Sequence, residues 1–266
     1  MMKFFIVILL LIVNSSCSLL PKKEISEAEI DAESAKAYQD FKSQNKISNN
    51  KVWNQMVQRV AQRIARASGE NFQWEVVLVE NPEVNAWCMP GGKIAVYTGI
   101  MPVLKTEAAL AAVMGHEVAH ATLRHGKKGY SRAIEEQQSA MLLAGAAIVG
   151  GQLLCETENC KKMSQVGGLA AGMALSFFNR KFSREDESEA DRAGQIYLAR
   201  AGYDPKESIV LWDRMAASHG GSAPPEWMST HPSDSRRKQS LSSWLPSAET
   251  EYQQAQAHYG LGEVIP

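Results

Sequence analysis

One short motif constrains this chain more than any other feature: His116, Glu117 and His120 form a His-Glu-x-x-His sequence inside an apolar, alanine-rich run. The run has a plausible N-cap at Thr106 and predicts one helix that ends at Gly126. Residues four apart lie on the same face of a helix, so both imidazoles can reach one metal ion. Glu117 lies about 100° further round the helix, where its carboxylate can reach a water molecule beside that ion.

These side chains are the ones that a catalytic zinc site uses, because zinc prefers two neutral imidazoles and a carboxylate with a fourth position left open. We therefore predict one Zn²⁺ ion per chain, bound by His116 and His120, with Glu117 as the general base that activates water. Flanking residues such as Val113 and Val118 indicate a partly buried helix, where the polar side chains would be costly unless they formed a site. The motif also recurs by chance on ordinary helices, so a third ligand is needed.

An acidic stretch later in the sequence offers that third ligand. Glu187 and Asp191 are four residues apart, so Glu187 can bind the metal while Asp191 orients a ligand histidine through its second ring nitrogen. The alternative is a solvated, acidic start of a helix. His125 does not fit the metzincin pattern, which needs glycine and histidine where the chain has Leu123 and Gly126. We expect His125 to interact with the end of the motif helix instead.

The remaining pattern predicts a mixed but mainly helical fold. Three short strands are expected before the motif helix, at residues 74–79, 84–89 and 93–98, with a Pro-Gly-Gly turn between the last two. An amphipathic helix is expected at 50–68, and further helices at 184–201, 205–217, 233–241 and 248–258. The predicted fold class is α+β, mainly helical, with a small antiparallel sheet next to the motif helix.

Four segments of the chain have a characteristic order and spacing. They are Asn-Ala-Trp-Cys-Met-Pro-Gly-Gly-Lys-Ile at 85–94 with Tyr-Thr-Gly at 97–99, the runs 107–120 and 183–194, and Ser-Thr-His-Pro at 229–232. Together they resemble the gluzincin zinc metallopeptidases typified by HtpX and the CAAX prenyl endopeptidases, particularly their periplasmic lipoprotein branch. The resemblance implies zinc bound by His116, His120 and Glu187. It also implies that Glu117 is general base and acid and that Asp191 orients a ligand.

The resemblance also implies how substrate is bound, through an edge strand to which an extended peptide adds as a further strand. The residues assigned to this edge are Lys93, Ile94, Ala95 and Val96. His231 resembles a histidine that approaches the metal in related periplasmic members and controls access to it. It could instead stabilise the tetrahedral oxyanion, for which Arg237 is another candidate. The alternative for His231 is an ordinary residue at the entry of a helix.

The first residues are typical of an export signal. A positively charged start precedes an apolar run, Phe4 to Val13, that is too short for an ordinary membrane span. Small residues then precede Cys17, which resembles the processing box of bacterial lipoproteins and predicts lipidation of this cysteine. By analogy with enterobacterial sorting, Ser18 favours the outer membrane, on the periplasmic face of a Gram-negative cell envelope. The alternative is ordinary signal cleavage that leaves a soluble secreted protein.

Three cysteines remain after Cys17, and export permits disulfides. Cys155 and Cys160 enclose a short polar loop between two apolar segments, so we predict a disulfide that closes a helical hairpin. The alternative is a pair of free thiols on the loop. Cys88 is then left over in an apolar context, where we expect a buried small side chain.

Length and charge complete the prediction. A chain of 266 residues fits one domain with appendages. We divide it into a signal at 1–17, a polar tether at 18–48, a zinc metallopeptidase domain at 49–245, and a C-terminal helix and tail at 246–266. The net charge of -1 gives no basic field for phosphates, which argues against nucleic acid as a partner.

These features predict a zinc metalloendopeptidase that hydrolyses misfolded or envelope proteins and so serves protein quality control. The expected partners are unfolded or extended polypeptides, a membrane reached through the lipid on Cys17, and envelope assembly machinery. The alternative is a chaperone or assembly factor that uses a latent metalloprotease scaffold to bind unfolded strands. A purely structural zinc site fits less well, because three ligands and a poised glutamate describe an open site.

Overall fold

The computed structural model of the chain describes residues 26–129, 131–132, 182–218, 226–231 and 235–266. Two predictions lie outside these residues: the signal segment with its lipidated Cys17, and the hairpin closed by Cys155 and Cys160. Among the described residues, none of the helices combines the length and the apolar character that crossing a membrane requires.

Helix α1 spans Glu27–Gln44 and begins at Ser26, whose side chain forms a capping box with Glu29. The sequence predicts a solvated helix or tether here, because the segment is polar and rich in alanine and glutamate. The structure corrects this expectation, since α1 buries Tyr38 completely. The Tyr38 hydroxyl donates a 2.8 Å hydrogen bond to the carbonyl oxygen of Ile94 in the sheet. This helix therefore packs on the domain.

Helix α2 spans Lys51–Ser68, and its first turn is capped by the side chain of Asn50. It ends at Gly69, whose positive φ of 75° closes the last turn. Its apolar residues share one buried face, as expected for an amphipathic helix. That face packs on the first strand of the sheet and on the helix of the His-Glu-x-x-His motif.

Three strands form one small sheet: β1 at Glu75–Val79, β2 at Ala86–Met89 and β3 at Lys93–Tyr97. The spatial order is β1-β3-β2, with β3 antiparallel to β2 and parallel to β1. The expectation of a purely antiparallel sheet is therefore wrong. Successive strands do reverse direction along the chain, but β3 inserts between the other two and so lies beside β1, which runs the same way.

This order also corrects the edge strand that the sequence assigned. Strand β3 pairs on both sides, and Lys93, Ile94, Ala95 and Val96 are all buried in the middle of the sheet. The outer side of β2 is an edge of the sheet, and β2 packs on the motif helix. Tyr97 N donates to Asn85 O across the β2–β3 pair. By the alternation of antiparallel pairing, the backbone groups of Ala86 and Cys88 therefore point to the outer edge.

A 3-10 helix at Thr98–Ile100 and helix α3 at Met101–Leu104 lead into α4 at Glu107–Thr122, which carries the motif. Every residue of α4 is buried, so the helix runs through the core. Its N-cap is Thr106, as predicted. It does not continue to Gly126, because Arg124 has a left-handed φ of 59° and a new helical segment covers residues 125–129.

Helix α5 spans Arg184–Arg200 and starts with a capping box between Ser183 and Asp186. It packs closely on α4 at a pair of glycines, Gly115 and Gly194. A Cβ atom on Gly194 would lie 2.8 Å from the backbone nitrogen of His116. The two helices can approach this closely only because both residues lack a side chain.

The remaining helices are α6 at Glu207–Ser218, α7 at Glu226–Thr230 and α8 at Ser235–Gln254. Helix α8 is a single helix where the sequence predicts two, and it continues through Pro246 and across the predicted boundary between residues 245 and 246. The chain then returns to the start of α4, where Glu107 N donates to Glu263 O and Ile265 N donates to Lys105 O.

Candidate metal centre

Four potential metal ligands converge where α4, α5 and the residue after α7 meet. They are His116, His120, Glu187 and His231, which are all buried, and their donor atoms lie within 4.8 Å of one another. His116 Nε2 is 3.0 Å from His120 Nε2 and 3.1 Å from His231 Nδ1. The Glu187 carboxylate oxygens are 3.0 Å from His231 Nδ1 and 3.4 Å from His116 Nε2. The same carboxylate is 3.5 Å from His120 Nε2.

These separations fit a single zinc ion. Nitrogen and oxygen ligands lie about 2.1 Å from zinc, so two ligand atoms at the corners of a tetrahedron are roughly 3.4 Å apart. The five separations given above run from 3.0 to 3.5 Å. Imidazole nitrogens and a carboxylate are also the donor types that zinc prefers in proteins. The residues present therefore fit zinc in both geometry and chemistry.

His116 is held from behind by a carboxylate and a guanidinium. Its Nδ1 atom lies 3.0 Å from Oδ1 of Asp191. Asp191 in turn accepts two 2.7 Å hydrogen bonds from Nε and Nη2 of Arg237, a bidentate pair. Arg237 Nη1 also lies 2.8 Å from Oε2 of Glu187. These contacts place Arg237 behind the ligands and favour a positioning role over the oxyanion role that the sequence suggested.

His120 is held by a different set of residues. Its Nδ1 atom lies 2.9 Å from Nδ1 of His125, and His125 Nε2 lies 3.1 Å from Oε2 of Glu189. The ring of Phe182 stacks on His120, with ring centroids 4.0 Å apart. The left-handed turn at Arg124 directs His125 back towards α4, so His125 contacts a ligand rather than the helix end as expected.

Glu117 lies beside the ligands and has its own hydrogen-bond donor. The indole Nε1 of Trp227 donates a 2.7 Å hydrogen bond to Oε1 of Glu117. His231 Nε2 lies 3.5 Å from the same oxygen. The backbone nitrogen of Trp227 donates to the carbonyl oxygen of Val84, which lies two residues before the start of β2. Trp227 therefore connects the candidate base with the edge strand.

Burial and charge have opposite effects on the pKa values of His116 and Glu187. Burial lowers the pKa of His116, but its contacts with Asp191 and Glu187 outweigh this and raise the pKa to about 9. Burial raises the pKa of Glu187, but His231 and His116 outweigh it and hold the pKa far below its usual range. Burial, then the imidazoles of His116 and His231, lower the pKa of His120. The carboxylates therefore favour a positive charge at this position, which a bound metal ion would supply in place of the proton on His116.

Two residues of the centre are not predicted by the sequence. Trp227 lies one helical turn before His231, and His231 N donates to Trp227 O, so its spacing from a candidate ligand was a usable signal. His125 follows His120 by only five residues, but its approach to His120 depends on where α4 ends. The predicted strand residues Lys93 to Val96 are not among the residues that the structure brings together at the metal cluster.

Residues 48–245 of the chain match peptidase family M48. The mitochondrial metalloendopeptidase OMA1 of Schizosaccharomyces pombe is 35% identical over 209 residues, which cover 76% of this chain and 56% of that protein. OMA1 of Arabidopsis thaliana is 36% identical over 172 residues, which cover 65% of this chain and 32% of that protein. The beta-barrel assembly-enhancing protease of Yersinia pestis is 32% identical over 170 residues, covering 64% and 34%.

The chain thus spans between about a third and a little over half of the length of these curated relatives. They are OMA1 and beta-barrel assembly-enhancing proteases, not HtpX or CAAX prenyl endopeptidases. The expected gluzincin family is confirmed, whereas the periplasmic lipoprotein branch stays a prediction. Three of the four segments that carried the resemblance, 107–120, 183–194 and 229–232, each supply a residue of the metal centre.

Proposed function

This chain belongs to peptidase family M48 and is a zinc metalloendopeptidase, and we propose that it cleaves unfolded or extended polypeptides of the cell envelope. One observation carries the catalytic part of the proposal: the donors of His116, His120 and Glu187 converge at zinc-like separations with Glu117 beside them. We assign the three donors as permanent ligands and Glu117 as the catalytic base.

Zinc bound in this cluster supplies Lewis acidity, which polarises a peptide carbonyl and makes water easier to deprotonate. Glu117 accepts the proton of the attacking water and then delivers it to the leaving nitrogen, so that the peptide bond breaks into a carboxylate and an amine. Trp227 holds the Glu117 carboxylate in place through its 2.7 Å hydrogen bond. Asp191 and Arg237 keep His116 oriented towards the cluster.

We propose that substrate adds to the outer edge of β2, which replaces β3 in the role predicted from the sequence. The outward backbone groups of Ala86 and Cys88 form no hydrogen bond with the described residues, and β2 packs on α4. A peptide paired there would be recognised mainly through its backbone. Extended or unfolded segments of many sequences would therefore be accepted.

His231 supports a second element of the proposal, a closed resting state. With His231 included, four protein donors converge, whereas a catalytic zinc site keeps its fourth position open for water or substrate. We propose that His231 leaves the cluster before cleavage. The alternative function, an assembly factor that binds unfolded strands without cutting them, draws its support from the same closed arrangement.

The decisive test compares wild type with Glu117→Gln, using Glu185→Gln as a matched control on the exposed start of α5. Zinc content is measured on each protein, and cleavage is followed on unfolded casein and on a denatured outer-membrane barrel. Loss of general-base catalysis costs about 10²–10⁴ in rate. We expect Glu117→Gln to lose at least about 10³-fold with stoichiometric zinc retained. Full activity in this variant would refute the assigned base.

Complementation separates the two functions. If the Glu117→Gln protein restores envelope integrity in a deletion strain as well as wild type does, strand binding is the principal role and the proposed proteolytic function fails. If it does not restore integrity while Glu185→Gln does, cleavage is required.

Localisation is also part of the proposal: a lipid on Cys17 anchors the protein to the outer membrane, facing the periplasm. The similarity to a beta-barrel assembly-enhancing protease supports an envelope setting, although OMA1 is named as a mitochondrial enzyme. Labelled palmitate should enter wild type and not Cys17→Ser, and wild type alone should fractionate with outer membranes. Equal fractionation of both proteins would contradict the anchor.

A further inference from the structure

We propose that His125, supported by Glu189, is a positioning residue that fixes the tautomer and the ring orientation of the zinc ligand His120. This inference deepens the proposed function and rests on the zinc site assigned there. It concerns a contact outside the ligand set itself.

Three observations place His125 in this role. His125 is completely buried, although it follows the end of α4. Its Nδ1 atom lies 2.9 Å from Nδ1 of His120, on the side of that ring which faces away from the other ligands. Its other nitrogen lies 3.1 Å from Oε2 of Glu189, whose side chain is 54% exposed at the surface.

The direction of each hydrogen bond follows from the ligand role of His120. A ligand imidazole offers the lone pair of one nitrogen, so His120 Nε2 is unprotonated and Nδ1 carries the hydrogen. The neighbour of that hydrogen must be an acceptor, and this requires an unprotonated Nδ1 on His125. The hydrogen of His125 then sits on Nε2, where the Glu189 carboxylate accepts it. One consistent chain of donors therefore runs from His120 through His125 to Glu189.

The two ligands of α4 are thus oriented by different means. His116 is in direct contact with a carboxylate, because Oδ1 of Asp191 on α5 lies 3.0 Å from its Nδ1. His120 is one helical turn further along α4, and its Nδ1 faces His125 instead of a carboxylate. The carboxylate of Glu189 lies on the far side of His125, 3.1 Å from His125 Nε2. The imidazole of His125 therefore connects the Glu189 carboxylate to His120 through two hydrogen bonds.

The neighbouring charges argue against a second metal site at this position. His125, Asp186 and Glu189 could in principle share a cation. However, Arg132 pairs with Asp186 at 3.1 Å, and Lys128 pairs with Glu189 at 3.3 Å. Both carboxylates are already paired with protein cations. We therefore assign His125 and Glu189 to the orientation of His120 and not to a second metal ion.

The experiment measures zinc affinity by competition with a chromophoric chelator in wild type, His125→Leu and His125→Gln. Loss of a residue that orients a metal ligand costs about 10–100-fold in metal affinity. We expect His125→Leu to lose about 10-fold or more, because leucine accepts no hydrogen bond. Glutamine offers an amide oxygen to His120 Nδ1 and should restore affinity to within about 3-fold of wild type.

A second readout follows the Nδ1 proton of His120 by NMR of ¹⁵N-histidine-labelled, zinc-loaded protein. The resonance should lie downfield in wild type and His125→Gln and should shift upfield in His125→Leu. Wild-type affinity in His125→Leu, or equal losses in both variants, overturns the proposal. Because the leucine variant could fail to fold, Glu189→Ala with Glu185→Ala as control provides an exposed alternative. Only Glu189→Ala should weaken zinc binding, and equal affinities overturn the proposal.

These outcomes are independent of cleavage. If wild type binds zinc tightly but cuts no substrate, the proposed function fails while the role of His125 stands. If wild type binds no zinc at neutral pH, the shared zinc site fails, and the role of His125 fails with it.

Discussion

The three ligands contributed by α4 and α5 differ from His231 in what lies behind them. His116 and His120 turn their second ring nitrogens to Asp191 and His125, and both helices are long and packed on each other. His231 follows the five-residue helix α7 and turns its second nitrogen towards Glu117, 3.5 Å away. The ligands that we propose as permanent face an anchor, whereas His231 faces the proposed catalytic base. The comparison indicates three fixed ligands and one that can leave.

The largest effect should come from removing a fixed ligand. Glu187→Ala deletes the only carboxylate in the ligand set and leaves the guanidinium of Arg237 without the partner that it has at 2.8 Å. We expect loss of stoichiometric zinc, measured by metal analysis after dialysis, together with loss of all cleavage. An exposed acidic neighbour supplies the control, Glu185→Ala, which should keep both. A Glu187→Ala protein that still holds one zinc per chain would break the comparison.

An intermediate effect should come from the helix crossing that holds the fixed ligands together. Gly194→Ala puts a Cβ 2.8 Å from backbone atoms of α4, including His116 N, so the helices must shift apart. Overpacking of this kind costs about 1–3 kcal/mol, and we expect a lower Tm and weaker zinc binding together.

Gly262→Ala is the matched control for this crossing. A Cβ there meets nothing within 4 Å, so only the strain of its positive φ remains. Thermal unfolding of both apo proteins and chelator competition of both zinc forms provide the measurement. Unchanged zinc affinity in Gly194→Ala would show that the crossing does not set the ligand geometry.

The smallest effect on zinc should come from the ligand that can leave. His231→Ala should keep zinc to within about 10-fold, because three protein ligands suffice for a catalytic site. Cleavage of unfolded casein should rise several-fold as the fourth position opens. His258→Ala, which alters an exposed histidine of the C-terminal segment, should change neither quantity. If His231→Ala loses zinc as completely as Glu187→Ala, the distinction between the two groups disappears.

Local spacing explains why part of the centre could be predicted. His116 and His120, like Glu187 and Asp191, are pairs separated by four residues, and a helix brings such pairs to one face whatever the rest of the fold does. The N-caps at Thr106 and Asn50 are equally local. These features follow from a few consecutive residues.

Tertiary arrangement explains why other predictions from the sequence were wrong. Strand β3 has the same alternation whether it lies at an edge or in the centre, and only its insertion between β1 and β2 decides. The contact of His125 depends on one left-handed residue, Arg124, that is not a glycine. Helix α8 continues through Pro246, where local rules predict a break.

The pairing of Glu107 with Glu263 has a consequence for biogenesis. The first turn of α4 leaves backbone donors that the helix itself cannot satisfy, and the carbonyl oxygen of Glu263 accepts one of them. A ribosome makes Glu107 long before it makes Glu263, so the helix of the metal centre cannot complete its contacts on a nascent chain. Assembly of the active site is therefore a late event, and a partly synthesised protease carries an unfinished catalytic helix.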